Sequence, residues 1–178
     1  MVRFIIAQIL GMLALILVCF SYAFNDKKKF LAYQILSNLF YASSFLVLSV
    51  LVGGVNTIIS IARVSTLYIF ERKDKRPPLE LYVLFSLLYL LSGNLFYQSP
   101  LDIMAIVAYE MFNMAMFIRD IEITRFMMVL PNIIIVIYNI FSSTFTNALL
   151  DFVEITVLVC MIVRFSWSRQ NKRFKYLL

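Results

Sequence analysis

Residues Asn25–Phe30 read Asn-Asp-Lys-Lys-Lys-Phe and separate two long apolar runs. Three consecutive lysines in so short a loop favour the cytoplasmic side of a bilayer, because basic residues near membrane ends resist translocation. In a chain that crosses a membrane repeatedly, the side of one loop determines the side of every later loop. This stretch therefore predicts the orientation of the whole chain.

The composition is that of an integral membrane protein. Of the 178 residues, 62% are hydrophobic and 15% are charged, whereas soluble domains are about half apolar and about a quarter charged. The net charge of +6 does not indicate a nucleic-acid partner, because the basic residues occupy short gaps between apolar runs. We expect the lipid bilayer, and no nucleic acid, to surround this chain.

Catalytic and metal chemistry has little support in the sequence. Cys19 and Cys160 both lie inside apolar runs, and the chain has no histidine. A free cysteine in such a run usually packs as a small hydrophobic side chain. Without a G-x-S-x-G motif or a cluster of metal ligands, we expect neither an enzyme nor a metal or other cofactor.

Seven apolar runs are long enough to cross a bilayer, whose hydrocarbon core of about 30 Å needs about 20 helical residues. The first run, at about 21 residues, exceeds the core of a signal peptide, which has about 7–15, so we expect it to be retained. The predicted spans are residues 4–24, 30–51, 54–70, 79–98, 101–118, 124–144 and 147–166.

The basic residues divide unequally between the two sides of these spans. One side receives 14 of the 16 lysines and arginines, while Arg3 alone lies on the other and Arg63 is within a span. Under the positive-inside rule, the N-terminus is outside and the C-terminus is cytoplasmic. The predicted outer loops are short, namely Gly53-Gly54, Gln98–Pro100 and Thr144–Thr146.

The first and last three spans form a predicted repeat. A shift of 94 residues (from 26 to 120) lays one triplet on the other without a gap and aligns Asp26 with Asp120 and Asn38 with Asn132. Two parallel triplets joined by one linking span form the 3+1+3 arrangement of SWEET carriers. The predicted organisation is a three-helix bundle at 1–76, a linking helix at 77–99, a second three-helix bundle at 100–167 and a basic cytoplasmic tail at 168–178.

Scattered residues also resemble one family, that of the YgjV-type bacterial inner-membrane proteins. They are Ala7-Gln8, Gly11, Asn25-Asp26 with the lysines and Phe30, Ser37, Gly54 and Arg63. That family looks related to the PQ-loop, SWEET and semiSWEET transporters, which implies a transporter-like fold. The Pro-Gln pair of that group is absent, since neither Gln8 nor Asp102 follows a proline. Its substrate-holding level on the third helix of each bundle would correspond here to Ser60 and Glu154.

Three charged residues lie deep within predicted spans: Arg63, Glu110 and Glu154. Each costs about 2.5–3.5 kcal/mol to insert at the bilayer centre, so we expect each to face the protein interior. They predict a polar midplane cavity between the bundles. The alternative is that Arg63 pairs with Glu110 or Glu154 and only holds helices together. The full predicted set of substrate-binding residues is Ser60, Arg63, Glu110, Asn132, Glu154 and Asn38.

Two functions remain open from the sequence. The first is a small-molecule transporter or facilitator of the bacterial inner membrane, carrying a small polar solute with or without a proton. The second is a non-transporting scaffold or receptor-like protein of the same fold, because a fold does not by itself determine function. A homo-oligomer is compatible with either.

Overall fold

The computed structural model describes residues 2–48, 51–97, 99–141 and 145–175, without the side chains of 51–53, 145–147 and 166–175. Within these ranges the chain is all-helical, as the sequence predicts. The helices are α1 (Val2–Tyr22), α2 (Lys27–Leu48), α3 (Leu51–Arg72), α4 (Leu79–Leu95), α5 (Asp102–Phe117), α6 (Ile121–Phe141) and α7 (Phe145–Lys175).

Several predicted boundaries are wrong by a few residues. Helix α2 begins inside the lysine loop because the Asp26 carboxylate accepts the backbone N–H of Lys28 at 2.9 Å, which caps the helix. Gly53-Gly54, predicted as an outer loop, lies within α3. Of the other two predicted outer loops, Gln98 and Thr144 lie outside the described residues.

The C-terminal segment and the proline of α6 both lie within helices. The predicted tail at 168–178 continues α7 as helix to Lys175, and residues 176–178 lie outside the described part of the chain. Helix α6 runs through Pro131, whose side chain is buried.

Each helix packs against the next one in the sequence, and two pairs of helices that are not neighbours in sequence make the most extensive further contacts. Helix α7 packs against α1, and α5 packs against α3. Helix α4 contacts both α3 and α5. The first and last three helices therefore meet along two seams, one between α1 and α7 and one between α3 and α5, with α4 along the second.

The starts of α2 and α6 repeat at the spacing found in the sequence. These helices begin at 27 and 121, so their starts are 94 residues apart. The two capping turns correspond as well. Asp120 accepts the backbone N–H of Glu122 at 2.8 Å, as Asp26 accepts that of Lys28.

The distribution of side chains suits a lipid environment. Large apolar side chains are exposed on every helix whose surface is described, while the buried residues include many polar ones. Among the described residues, α1, α2 and α6 are long and apolar enough to cross a membrane, and α4 is a shorter apolar helix.

Serine–backbone contacts bring α1 and α2 close together, since Ser37 and Ser44 donate to the carbonyls of Ala14 and Ala7.

Three interhelical segments meet at one end of the molecule, which we call the basic end. The carboxylate of Asp74, between α3 and α4, lies 3.6 Å from Nζ of Lys28 and 3.7 Å from Nη2 of Arg119. Lys28 lies in the first turn of α2 and Arg119 between α5 and α6. These three segments are those that the sequence assigns to the cytoplasmic side.

Candidate functional site

Helix α4 carries a polar face along the α3–α5 seam. Tyr82, Ser86, Tyr89 and Ser92 follow one another at spacings of four, three and three residues, which places them on one side of a helix. All four contact residues of α3 or α5. We call the polar residues of this seam the α4 cluster: Asn56, Ser60, Arg63, Ser86, Tyr89, Ser92, Glu110 and Asn113.

Arg63 lies in the middle of the α4 cluster. Its side chain is 4% exposed, and its guanidinium carbon lies 5.3 Å from the centre of the Tyr89 ring, a cation–π distance. The Tyr89 hydroxyl is 2.8 Å from that of Ser60, which is one turn away on α3. Nε and Nη1 of Arg63 are buried and have no hydrogen-bond partner among the described residues.

The rest of the α4 cluster is joined by hydrogen bonds. At the end away from the basic end, Ser92 donates to the side-chain carbonyl of Asn56 at 2.6 Å. Towards the basic end, Ser86 donates to Oε2 of Glu110 at 2.7 Å and accepts from Asn113 at 2.9 Å. Oε1 of Glu110 is buried without a partner in the described part of the chain.

A second polar group, the α7 cluster, lies at the α1–α7 seam and comprises Tyr22, Asn132, Asn139, Asp151 and Glu154. The buried hydroxyl of Tyr22 donates to Oε1 of Glu154, and the Asn132 amide donates to the carbonyl of Met128 at 2.9 Å. About two turns further from the basic end along α6, Asn139 donates to Asp151 at 2.6 Å. The Tyr22–Glu154 contact thus joins α1 to α7, and the Asn139–Asp151 contact joins α6 to α7.

The six predicted site residues therefore do not form one group. Ser60, Arg63 and Glu110 belong to the α4 cluster, and Asn132 and Glu154 to the α7 cluster. Asn38 is half-buried on α2, and no hydrogen bond among the described residues involves its side chain.

The ion pair left open by the sequence does not form in the described part of the chain. The carboxylates of Glu110 and Glu154 accept hydrogen bonds from Ser86 and Tyr22, and Arg63 lies on an aromatic ring. The prediction that these charged residues turn away from lipid is confirmed for Arg63 by its burial.

The sequence interpretation missed the tyrosines and the lysine loop as site residues. Tyr22 and Tyr89 connect helices that are distant in sequence, and the α4 spacing of tyrosine and serine was a detectable signal for the second. Lys27, interpreted only as an orientation signal, is buried and donates to Thr124 at 2.8 Å.

Lys27 also lines a cavity of about 460 Å³ at the basic end, which we call the basic cavity. The cavity lies between the basic ends of α2, α3, α4 and α5, and none of the six predicted site residues is part of its lining. Its lining residues are Lys27, Leu31, Leu67, Glu71, Lys75, Arg76, Pro77, Leu79, Tyr82, Met114, Met116, Phe117, Ile118 and Arg119.

Comparison with known proteins gives one match. No curated protein and no solved structure matches the chain. The family Imp-YgjV, described as bacterial inner membrane protein, matches residues 5–169. Since this match covers nearly the whole chain and agrees with the apolar exterior of the helices, the protein belongs to the Imp-YgjV family of bacterial inner membrane proteins.

Proposed function

We propose that this membrane protein is a small-molecule transporter in which two like-oriented helix triplets, α1–α3 and α5–α7, enclose a polar path. In this proposal all seven helices cross the inner membrane. The basic end faces the cytoplasm, because it gathers the loops that carry most of the lysines and arginines. Helix α4 links the triplets and restores the orientation of the second one.

The repeat is the first support for this arrangement. Contacts between the triplets are reciprocal, since the first helix of each packs against the third helix of the other: α1 against α7 and α5 against α3. This is the pattern expected for parallel repeats around an axis along the membrane normal, as in SWEET carriers. In such transporters the solute site lies at the repeat interface near the midplane, and both polar clusters lie at the seams.

The observation that carries the proposal is the state of Arg63. A guanidinium that is 4% exposed, with Nε and Nη1 unpartnered in the described chain, is costly in a membrane interior. A residue that served only packing would be expected to have its donors satisfied by protein groups. We infer that Arg63 donates to a solute or to water along the α3–α5 seam.

The polar residues of α4 continue this path from the basic cavity. Tyr82 lines the cavity, Asn113 donates to the backbone carbonyl of Tyr82, and Ser86 follows one turn further into the membrane. Beyond Ser86 come Tyr89 with Arg63, and then Ser92 with Asn56. The half-buried carboxylates Glu110 and Glu154 supply groups that a coupled proton could use.

A second candidate function is a scaffold or receptor-like protein without transport. It is favoured by the hydrogen bonds that the cluster residues make to one another, such as Ser60 with Tyr89 and Ser92 with Asn56. A dry, self-satisfied seam would hold helices together without moving anything. The two candidates differ in whether water reaches the α3–α5 seam.

Thiol labelling distinguishes them. In a chain with Cys19→Ala and Cys160→Ala, we expect Ser60→Cys to react with a small water-soluble methanethiosulfonate. The matched control on the same helix is Ile58→Cys, because Ile58 is 57% exposed on the outer, lipid-facing surface and should not react. If Ser60→Cys and Ile58→Cys are equally unreactive towards the reagent, the result would favour the scaffold.

Transport itself is tested in proteoliposomes with a panel of sugars, amino acids and organic acids, with and without a pH gradient. We expect flux that falls at least tenfold in Arg63→Gln, with Arg72→Gln as the exposed control on the same helix. Absence of flux for every solute, together with a protected Ser60→Cys, would reject the transporter.

A further inference from the structure

The basic cavity has a strongly positive lining. Four basic residues contribute to it, Lys27, Lys75, Arg76 and Arg119, against the single carboxylate of Glu71, so its formal charge is +3 (four minus one). The positive-inside rule requires basic residues near membrane ends but does not require them to converge on one cavity. The convergence therefore needs a separate explanation.

Lys27 is the least ordinary of the four. It is 7% exposed, its Nζ donates to Thr124 at 2.8 Å, and Nζ lies 5.1 Å from the centre of the Phe30 ring. An ammonium has three N–H donors, and Thr124 accepts one of them. No carboxylate of the described residues lies within ion-pair distance of Lys27. A buried cation of this kind is stabilised when an anion completes its shell.

The opposing charges around the cavity do not neutralise it. Glu71 lines it, and Asp120 lies close enough to act electrostatically on Lys27, as does the positive charge of Arg63. Asp74 lies 3.7 Å from Arg119 but also 3.6 Å from Lys28, so its charge is shared. Lys75 and Arg76 form no ion pair with any residue that the structure describes.

The remainder of the lining is apolar and aromatic. Leu31 and Leu67 lie beside Lys27, while Tyr82 and Phe117 meet edge to face with their ring centres 5.5 Å apart. A volume of about 460 Å³ is within the range of sites for small organic ligands. The shape and chemistry suit a ligand with one anionic group and an uncharged body.

We propose that the basic cavity binds a small organic anion through a phosphate or carboxylate group, with Lys27 as its central cation. This rests on the proposed transport function, for which it names the substrate class, because Tyr82 lines the cavity and its backbone carbonyl accepts a hydrogen bond from Asn113 of the α4 cluster. The anionic group comes either from a soluble metabolite or from the headgroup of a membrane lipid.

The test uses the full-length protein in nanodiscs of zwitterionic phosphatidylcholine at constant ionic strength. Thermal unfolding is followed while inorganic phosphate or citrate is titrated, with glucose and choline as uncharged and cationic controls. We expect saturable stabilisation by an anion and none by the controls. Lys27→Gln should weaken the apparent affinity at least tenfold, because it removes a charged donor from a buried site.

The matched control is Lys73→Gln, an exposed lysine of the same end that does not line the cavity. It removes the same charge and should leave the affinity unchanged. Equal weakening in both variants, or no anion response in the wild type, would overturn the proposal. If Lys27→Gln is aggregated on gel filtration, Arg76→Gln takes its place, with an expected loss of about threefold or more.

Two further experiments distinguish a lipid headgroup from a soluble anion, and anion binding from transport. An anion response present in phosphatidylcholine and lost in phosphatidylglycerol nanodiscs identifies a lipid headgroup; an unchanged response identifies a soluble anion. Anion binding without flux of any solute, together with a protected Ser60→Cys, keeps the anion site and rejects the transporter. A third outcome is that Ser60→Cys is labelled, only neutral solutes are transported and no anion binds. This outcome keeps the transporter and rejects only the anionic substrate class.

Discussion

Nζ of Lys27 donates a 2.8 Å hydrogen bond to the hydroxyl of Thr124, a residue 97 positions later in the chain. A reciprocal contact lies beside it, because Arg125 donates through Nη1 to Asn25 at 3.0 Å and through Nη2 to the carbonyl of Phe24. The first turn of α2 thus contacts α6, and the first turn of α6 contacts the turn before α2. These crossed contacts fasten the two triplets together at the basic end.

Arg125→Gln should destabilise the protein by about 2–4 kcal/mol, because it removes two charge-assisted hydrogen bonds made by a buried side chain. Arg125 is 1% exposed and also lies 4.4 Å from the centre of the Phe165 ring. The free energy of unfolding in mixed micelles, from SDS titration, measures the loss. Lys29→Gln is the control, since Lys29 is exposed in the first turn of α2 and should cost about 0.5 kcal/mol or less.

A loss for Arg125→Gln no larger than that of Lys29→Gln would show that the crossed contacts add little. It would also leave the hydrogen bond from Lys27 to Thr124 as the remaining one of the two crossed contacts that we assign to the basic end.

The Tyr22–Glu154 contact should have a measurable coupling energy. In a double-mutant cycle with Tyr22→Phe and Glu154→Gln, we expect about 0.6–1.7 kcal/mol, the range for hydrogen bonds between transmembrane helices. Both single variants keep the size of the side chain, so packing changes little. The control cycle combines Tyr33→Phe with Glu154→Gln. The Tyr33 ring stacks on Phe24, with the ring centres 4.9 Å apart. A coupling equal to that of the control would mean that the contact is incidental.

Much of the interior pattern could be predicted because lipid offers no hydrogen bonds to polar groups. Asn56, Ser60 and Arg63 share one face of α3 by spacing alone, and the structure buries all three. The seven helices of the described residues match the seven apolar runs, because the length of such a run predicts a helix.

The partners of these residues could not be predicted in the same way. Whether Arg63 meets Glu110, Glu154 or the ring of Tyr89 depends on the rotation and depth of α4 relative to α3 and α5. Spacing within one helix carries no information on either quantity. The two glycines Gly53-Gly54 fall between two apolar runs and are predicted as a loop, yet both lie within α3.

Two glycines should respond in opposite directions to alanine. A Cβ at Gly93 would lie 2.6 Å from both Cδ1 and Cγ1 of Ile106 on α5, so Ile106 must move. We expect Gly93→Ala to destabilise by about 1–3 kcal/mol, as in an overpacked interior. Gly11 has no atom within 4 Å of a built Cβ. Gly11→Ala should stabilise by about 0.5–1 kcal/mol through helix propensity.

Thermal unfolding of the two variants beside the wild type gives the signs directly. Combining Gly93→Ala with Ile106→Ala, which removes both Cγ1 and Cδ1, should cost less than the sum of the two single changes. Additive losses would place the clash elsewhere on α4.

Cysteine labelling in cells tests the proposed orientation, using a chain with Cys19→Ala and Cys160→Ala. Lys73→Cys and Glu122→Cys lie at the basic end, beside the segments joined through Asp74. If the positive-inside rule applies, an impermeant maleimide should label them only after the inner membrane is opened. Ser99→Cys, between α4 and α5, should react in spheroplasts with the membrane intact. Labelling of Ser99→Cys and Lys73→Cys from the same side would break the alternation of the helices, and with it the parallel triplets, because α4 would then not cross.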